Sequence, residues 1–365
     1  MQLSELYRIP WTKHDNPNGW IEVTTACQLD CPGCYRGHWD GEEVAADQRL
    51  EQLKEDVDTL FARRNIQCLS IAGGEPLLFP RLDELITYAR SKGIAPRLYT
   101  NGVQLDEERL DSLVGAGCTE VIIHASLWQN RLANNTQDEL IRLKSSYCRM
   151  FRGRQHEVRL GFIAPVLRRY LDGLAELLEF YKSQSDVIGN VVFTTFKDVY
   201  GGPSDQYVPL PELSETIERV YGTQPCAYIP KIHHQERIAW LLNVAVLRDG
   251  KVIGQLGPDA YGTMQEQYRE TMGKYLFSPE PGVAAAGAGL LAMGEIGEEL
   301  PDLVREMQRH VHHQVVSIVD SPQMLDDGRV DVCDSCPDAM LYEGELVPKC
   351  LLNKIRDGLP VCIVR

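Results

Sequence analysis

From about Trp20 to Phe196 the chain alternates short β-branched, apolar runs with longer stretches whose apolar residues return every three or four positions. The short runs are WIEVTTA, CLSIA, RLYT, EVIIHAS, EVRLGFIA and NVVFTTF, and their length and composition predict six strands. Between the first two, Leu50, Leu53, Val57, Leu60 and Phe61 recur at helical spacing, and before the sixth Leu167, Leu171, Leu174, Leu178 and Tyr181 do the same. Gly93 and Gly117 stand where helices should end, ahead of the third and fourth strands. Strand and helix alternating in this way build a parallel sheet, because each helix returns the chain to the end from which the last strand set out. Six units predict an α/β fold, a partial (β/α)6 TIM-like barrel, with ligands collecting at the C-terminal ends of its strands.

After KDVYGGPSDQYVPLPE the pattern loosens, and Pro and Gly mark a boundary near residue 200. Three regions are expected: the barrel over 1–200, an irregular α+β segment over 201–332 that caps the active site, and a cysteine-bearing region over 333–365. Within the middle region WLLNVAVLRDGKVIG predicts a strand and LPDLVREMQRHVHHQ a helix. His310, His312 and His313 then fall on that helix with no carboxylate or cysteine at metal-ligand spacing, which favours a histidine-bearing surface over a metal site.

Composition narrows the function classes. The chain has 365 residues, 44% hydrophobic and 24% charged, with a formal charge of -15. That is a folded protein, and its negative balance argues against a nucleic-acid partner, which would need clustered Lys and Arg. The longest small and apolar run, GVAAAGAGLLAMG from Gly282, is shorter than the roughly 20 residues of a membrane span. The first residues hold no apolar signal segment, so no membrane partner and a cytoplasmic location are expected. Eleven cysteines in a reducing compartment point to metal binding rather than disulfides. Cys68, Cys118 and Cys148 stand singly in apolar settings as small core residues.

Three of the cysteines, Cys27, Cys31 and Cys34, follow directly on the first strand in CQLDCPGCY. Three thiolates can hold three irons of a [4Fe-4S] cluster and leave the fourth free for a ligand. A zinc site completed by His38 is the competing assignment. The Cys-x3-Cys-x2-Cys spacing with Tyr35 after it resembles the signature of radical S-adenosylmethionine (radical SAM) enzymes. GGEP, Gly73 to Pro76, after the second strand, TNG, Thr100 to Gly102, after the third, and Ser126 at the end of the fourth are similar to that family's later motifs. The resemblance implies a SAM-binding [4Fe-4S] cluster and S-adenosylmethionine as cofactors. It implies that Gly73, Gly74, Glu75 and Pro76 hold the methionyl amine, that backbone beside Tyr35 contacts adenine, and that Asn101 and Ser126 meet the ribose or carboxylate. Arg159, alternating with Gly161 and Ile163 toward the lumen, is a candidate for the carboxylate, with a structurally paired Arg as the alternative. His124 shares the face of Ser126, and Trp128 either walls the site or packs.

The second cluster is CDSCPDAMLYEGELVPKCL, Cys333-x2-Cys336-x13-Cys350. A hairpin over Tyr342 to Leu346 turning at Gly344 would return Cys350 to the pair. The spacing resembles the C-terminal cluster of the GTP 3',8-cyclase of molybdenum-cofactor biosynthesis and the twitch and SPASM radical SAM enzymes, which implies a second, auxiliary [4Fe-4S] cluster. Cys226 or Cys362 is expected as its fourth ligand if the cluster is closed; a structural zinc site is the alternative. The resemblance as a whole implies hydrogen abstraction from a small polar metabolite, a small-molecule substrate, supported by a low-potential electron donor such as flavodoxin or ferredoxin. The alternatives are a twitch-type peptide-modifying maturase, disfavoured by the 19 residues ahead of the first strand, and a zinc-stabilised binding protein with a degenerate SAM site.

Overall fold

In the computed structural model the described residues are 2–32, 34, 45–129, 131–196, 205–281, 311–352 and 355. A short strand β1 (Tyr7–Arg8) precedes the βα series: β2 (Asn18–Glu22), α1 (Ala46–Arg64), β3 (Cys68–Ala72), α2 (Leu82–Ser91), β4 (Ala95–Thr100), α3 (Glu107–Ala116), β5 (Glu120–His124), α4 (Gln137–Phe151), β6 (Arg159–Val166), α5 (Leu174–Ser183) and β7 (Ile188–Thr195). Strands β2 to β7 pair in sequence order, every pair parallel. The six expected units are present, and the sheet is open rather than closed.

Local chemistry sets the helix ends. Thr136 and Glu139 form a reciprocal capping box at the start of α4, which satisfies two backbone donors the first turn leaves bare. Gly93 and Gly117 take φ of 73° and 99°, the left-handed turn after a helix that costs a side-chain-bearing residue most. Leu50, Leu53, Val57 and Leu60 are buried on α1, but Phe61 is 38% exposed and carries Lys274 over its ring.

The sheet runs on past residue 200. After α6 (Leu210–Tyr221) come β8 (Ala227–Pro230), β9 (Ile238–Arg248), β10 (Lys251–Gln255), α7 (Pro258–Met272) and β11 (Val311–Val319). β11 lies parallel to β7 and antiparallel to β9, β9 continues to β8, and β8 to β1. Two expectations change here. WLLNVAVLRDGKVIG is a hairpin, not one strand: Asp249 and Gly250 turn with φ of 52° and 73°, as a two-residue Asp-Gly loop requires. Residues 311–319 are a strand, not a helix, because Val311, Val315, Val316, Ile318 and Val319 are β-branched and find open edges on both sides. His312 and His313 therefore sit on a central strand, while His310 lies outside the described residues.

The last strands are β12 (Gln323–Met324), β13 (Val330–Asp331), β14 (Ala339–Tyr342) and β15 (Glu345–Pro348). The outer face of the parallel sheet packs on the helices through residues such as Ile21, Leu69, Ile71 and Leu98. On the inner face, Trp20 and Ala72 pack with Val332, Met340, Val347 and Leu351 of the C-terminal region. The N-terminal ends of the strands are sealed by the segment after α7. Ser278 Oγ donates to Glu120 Oε2 at 2.9 Å, and the Phe277 ring lies 4.8 Å from the Arg97 guanidinium. Among the described residues the ten cysteines are free, and no helix is long and apolar enough to cross a membrane.

Candidate active site

The cysteine loop leaves the C-terminal end of β2 and is fastened at once to the chain that follows β3. Val23 N donates to Ala72 O at 2.9 Å, Gly74 N to Thr24 O at 2.8 Å and Glu75 N to Ala26 O at 2.7 Å. This closeness explains the glycines. A Cβ on Gly74 would stand 2.1 Å from Ala26 O, and one on Gly73, whose φ is 142°, 2.6 Å from Thr24 O. What the glycine pair admits is the cysteine loop itself, where the sequence had suggested only a ligand.

Glu75 also has a structural task. Its buried carboxylate accepts Thr100 Oγ1 at 2.6 Å, Asn101 N at 2.7 Å and Leu77 N at 3.0 Å. Burial raises its pKa, and these three donors pull against that rise. Pro76 opens the short 3-10 turn Pro76–Leu78, where its missing N–H costs nothing. Glu75 thus joins the GGEP and TNG loops, and its oxygens are engaged before any ammonium group arrives.

The three thiols stand on one loop, where Cys34 N donates to Cys31 O at 3.1 Å. Burial, then Cys34, then Cys27, push the Cys31 thiol up to about 11, against the nearby Gln129 amide and the charge of Arg131. Neighbouring thiols that resist ionising together are held as thiolates when a cationic centre is added. The donors around the sulfurs suit an iron-sulfur cluster, whose sulfurs are tuned by such hydrogen bonds. Asn101 Nδ2 is 3.7 Å and Leu29 N 3.5 Å from Cys27 Sγ. The Trp128 indole donates to Pro32 O of the same loop, which ties the chain after β5 to that loop. Ser126 is buried, its N donating to Gln129 Oε1 at 3.2 Å and its Oγ 3.4 Å from His124 Nε2. Tyr35 lies outside the described residues.

Arg159 is not brought to this site. It is the first residue of β6, in register with Glu120 at the start of β5, at the sealed end of the sheet. Its guanidinium donates to Ser278 Oγ at 3.1 Å, Pro279 O at 3.2 Å and Gly189 O at 3.1 Å. The alternation placed it on the correct face but not at the correct height. Arg131, which sequence reasoning missed, stands at the open end instead: Nη1 donates to Asn101 O at 2.6 Å, while Nε and Nη2 are buried without a partner. A lone Arg in an irregular loop gave no signal in the sequence.

The second set of thiols also gathers. The β14–β15 hairpin turns at Glu343 and Gly344, with φ of 49° and 80°. Cys333 and Cys336 share a hydrogen bond that lowers the first thiol's pKa and raises the second's. Burial, then Cys333, push Cys350 up to about 12. Arg64 Nη2 holds Cys336 O at 2.8 Å. Cys226 is buried in an apolar group with Ile9, Trp11 and Tyr261, against which Cys333 also packs, but its thiol is engaged in donating to Leu242 O at 3.5 Å, and Cys362 lies outside the described residues. Among the described residues no three His, Cys, Asp or Glu side chains close around a single ion; thiolates on separate irons of a cubane stand farther apart than ligands sharing one ion.

Residues 21–182 match the family model for the radical SAM superfamily. This stretch is similar to a radical SAM domain. It holds the first cysteine set, the GGEP and TNG loops and Ser126, and it spans five of the six parallel strands, β2 to β6, ending within α5. The chain is 27% identical over 168 residues to mycofactocin maturase MftC of Mycobacterium ulcerans, which is 44% of this chain and 43% of that one. It is 34% identical over 109 residues to the PqqA peptide cyclase of Xanthomonas euvesicatoria, 28% and 27% of the two chains. This chain spans less than half the length of these curated relatives. Among solved structures, Streptococcus suis SuiB bound to S-adenosylmethionine superposes with a TM-score of 0.45 at 16% identity, over 57% of this chain and 47% of SuiB.

Proposed function

We propose that this protein reductively cleaves S-adenosylmethionine at a [4Fe-4S] cluster held by Cys27, Cys31 and Cys34, and thereby removes a hydrogen atom from a small polar metabolite. The observation that carries the reading is the placement of Cys27, Cys31 and Cys34 on one loop at the C-terminal end of a parallel sheet, laced to Gly74 and Glu75. When bound and reduced, the cluster supplies one electron to the sulfonium of SAM and so generates a 5'-deoxyadenosyl radical.

The chain's own residues position and shield. Asn101 directs a hydrogen bond at Cys27, Arg131 bears on the Cys31 thiol through its charge, and Trp128 ties down the loop through Pro32 O. Arg131 takes the role expected of Arg159, offering its unpartnered Nε and Nη2 to the methionyl carboxylate. The ribose and adenine contacts are assigned to Ser126 and to backbone beside Tyr35. A polar rim of Thr195, Asp320, Lys231 and Tyr207 at the ends of β7 and β11 favours a small polar substrate.

Cys333, Cys336 and Cys350 are assigned a second [4Fe-4S] cluster, with Cys362 the remaining candidate for a fourth thiolate. A flavodoxin or ferredoxin is the class of electron donor, and the free cysteines suit the reducing cytoplasm. A second reading, a peptide substrate, is supported by the likeness to the mycofactocin maturase and the PqqA peptide cyclase. Anaerobic incubation with SAM and dithionite should yield 5'-deoxyadenosine, and the triple variant Cys27→Ala, Cys31→Ala, Cys34→Ala should not. Equal yield from the variant refutes the proposal.

A further inference from the structure

Lys231 follows the last residue of β8 and forms an isolated antiparallel bridge with Cys333, so the two side chains leave the backbone as cross-strand neighbours. The bridge is fixed on both sides, by Asp334 N donating to Pro230 O at 2.9 Å and Ile232 N to Val332 O at 2.8 Å. The Lys231 side chain is 2% exposed. Its Nζ is 3.0 Å from Asp320 Oδ2 and donates to Ser321 O at 2.7 Å. Asp320 in turn accepts Thr195 Oγ1 at 2.8 Å and the Tyr207 hydroxyl at 3.3 Å. A buried ammonium on the residue bridged to Cys333, countered by one carboxylate that two hydroxyls also share, is more than a clasp between β8 and β11 requires.

Resting on the second-cluster reading, we propose that Lys231 is a positioning charge that sets the reduction potential of the cluster on Cys333, Cys336 and Cys350, with Asp320 as its countercharge. Lys231 touches no reacting atom. An all-thiolate cluster gains negative charge when the external low-potential donor adds one electron, and a fixed cation in a dry setting stabilises that reduced form. The charge of Lys231 is already felt at Cys333 and Cys350, where it favours the ionised thiol. Asp320 pairs directly with Nζ and weakens the same field. The link also gives the strand-end rim a lever on the cluster, because any ligand that changes how Asp320 is shared changes the field.

The test uses the full chain with Cys27, Cys31 and Cys34 changed to alanine, reconstituted anaerobically so that only the second cluster remains. Its midpoint is read by EPR during a redox titration. Lys231→Met should shift the midpoint to more negative potential, Lys231→Arg should leave it near the parent, and Asp320→Asn should shift it to more positive potential. An iron-loaded Lys231→Met or Asp320→Asn protein titrating at the parental midpoint overturns the inference alone. A parent triple variant that binds no iron overturns the second-cluster reading, and the inference with it. Should Lys231→Met fail to fold, the Asp320→Asn shift decides.

Discussion

Glu75 Oε2 accepts the backbone N–H of Asn101 at 2.7 Å, and the same Asn101 points its side-chain amide at Cys27 Sγ. One carboxylate therefore holds the loop that serves the cluster sulfur. Glu75→Ala leaves the donors on Leu77, Thr100 and Asn101 unsatisfied in a dry site, at about 1–3 kcal/mol each. The expected outcome is a lowered melting temperature and weakened SAM binding by equilibrium dialysis. Glu75→Gln keeps an acceptor oxygen and should fall between that variant and the parent.

The sealed end of the sheet gives a pH signature. Burial pushes the Glu120 carboxyl up, but Arg97 at 2.6 Å and then Arg159 overcome it and bring it down to about 2 from the ordinary 4.5. A depressed carboxyl contributes stability that is complete above its unfolded pKa and drains away as pH falls through the folded one. Denaturant midpoints should therefore drop between about pH 4.5 and 2. Glu120→Gln should remove that component and cost about 3–5 kcal/mol at neutral pH, because it strands the Arg97 charge. A parallel pH profile in the variant would contradict the assignment.

Lys144 is fully buried on α4, with Nζ unpartnered and 4.1 Å from the Phe162 ring. Burial, with Arg131 nearby, holds its pKa well below the ordinary lysine value. Replacing it with a methionine of similar reach removes a desolvated amine for an apolar contact. Lys144→Met should gain about 1–3 kcal/mol, read as a higher melting temperature at neutral pH. A lower one would show that the ring contact outweighs the desolvation.

Cys226 offers a negative control. Its thiol is committed to Leu242 O in an apolar group, so Cys226→Ala should keep the parent's iron content, whereas Cys350→Ala should lower it. Iron lost from the Cys226 variant would restore it as a ligand.

The parallel sheet was legible because its signals are local: β-branched runs, helical repeats and glycines that only a left-handed turn explains. The hairpin returning Cys350 was legible for the same reason, since Gly344 sits at the turn. Arg159 shows where such reasoning stops. Alternation assigns a face, but position along the strand decides which end of the barrel a side chain meets, and Arg159 begins its strand. β11 was misread because its neighbours, β7 and β9, lie far away in sequence, and a histidine-rich run has no intrinsic period to contradict a helix. Arg131 owes its importance wholly to what the fold places beside it.

The insertion of residues 311–319 between β7 and β9 bears on how the protein is made. During synthesis the N-terminal strands and the first cysteine loop emerge long before the strand that completes the sheet. Until then β7 presents a bare edge, which invites pairing with other chains. Folding must therefore wait on contacts distant in sequence, and a nascent chain halted before residue 311 would expose both its unfinished sheet and its cysteines to the ribosome's surroundings.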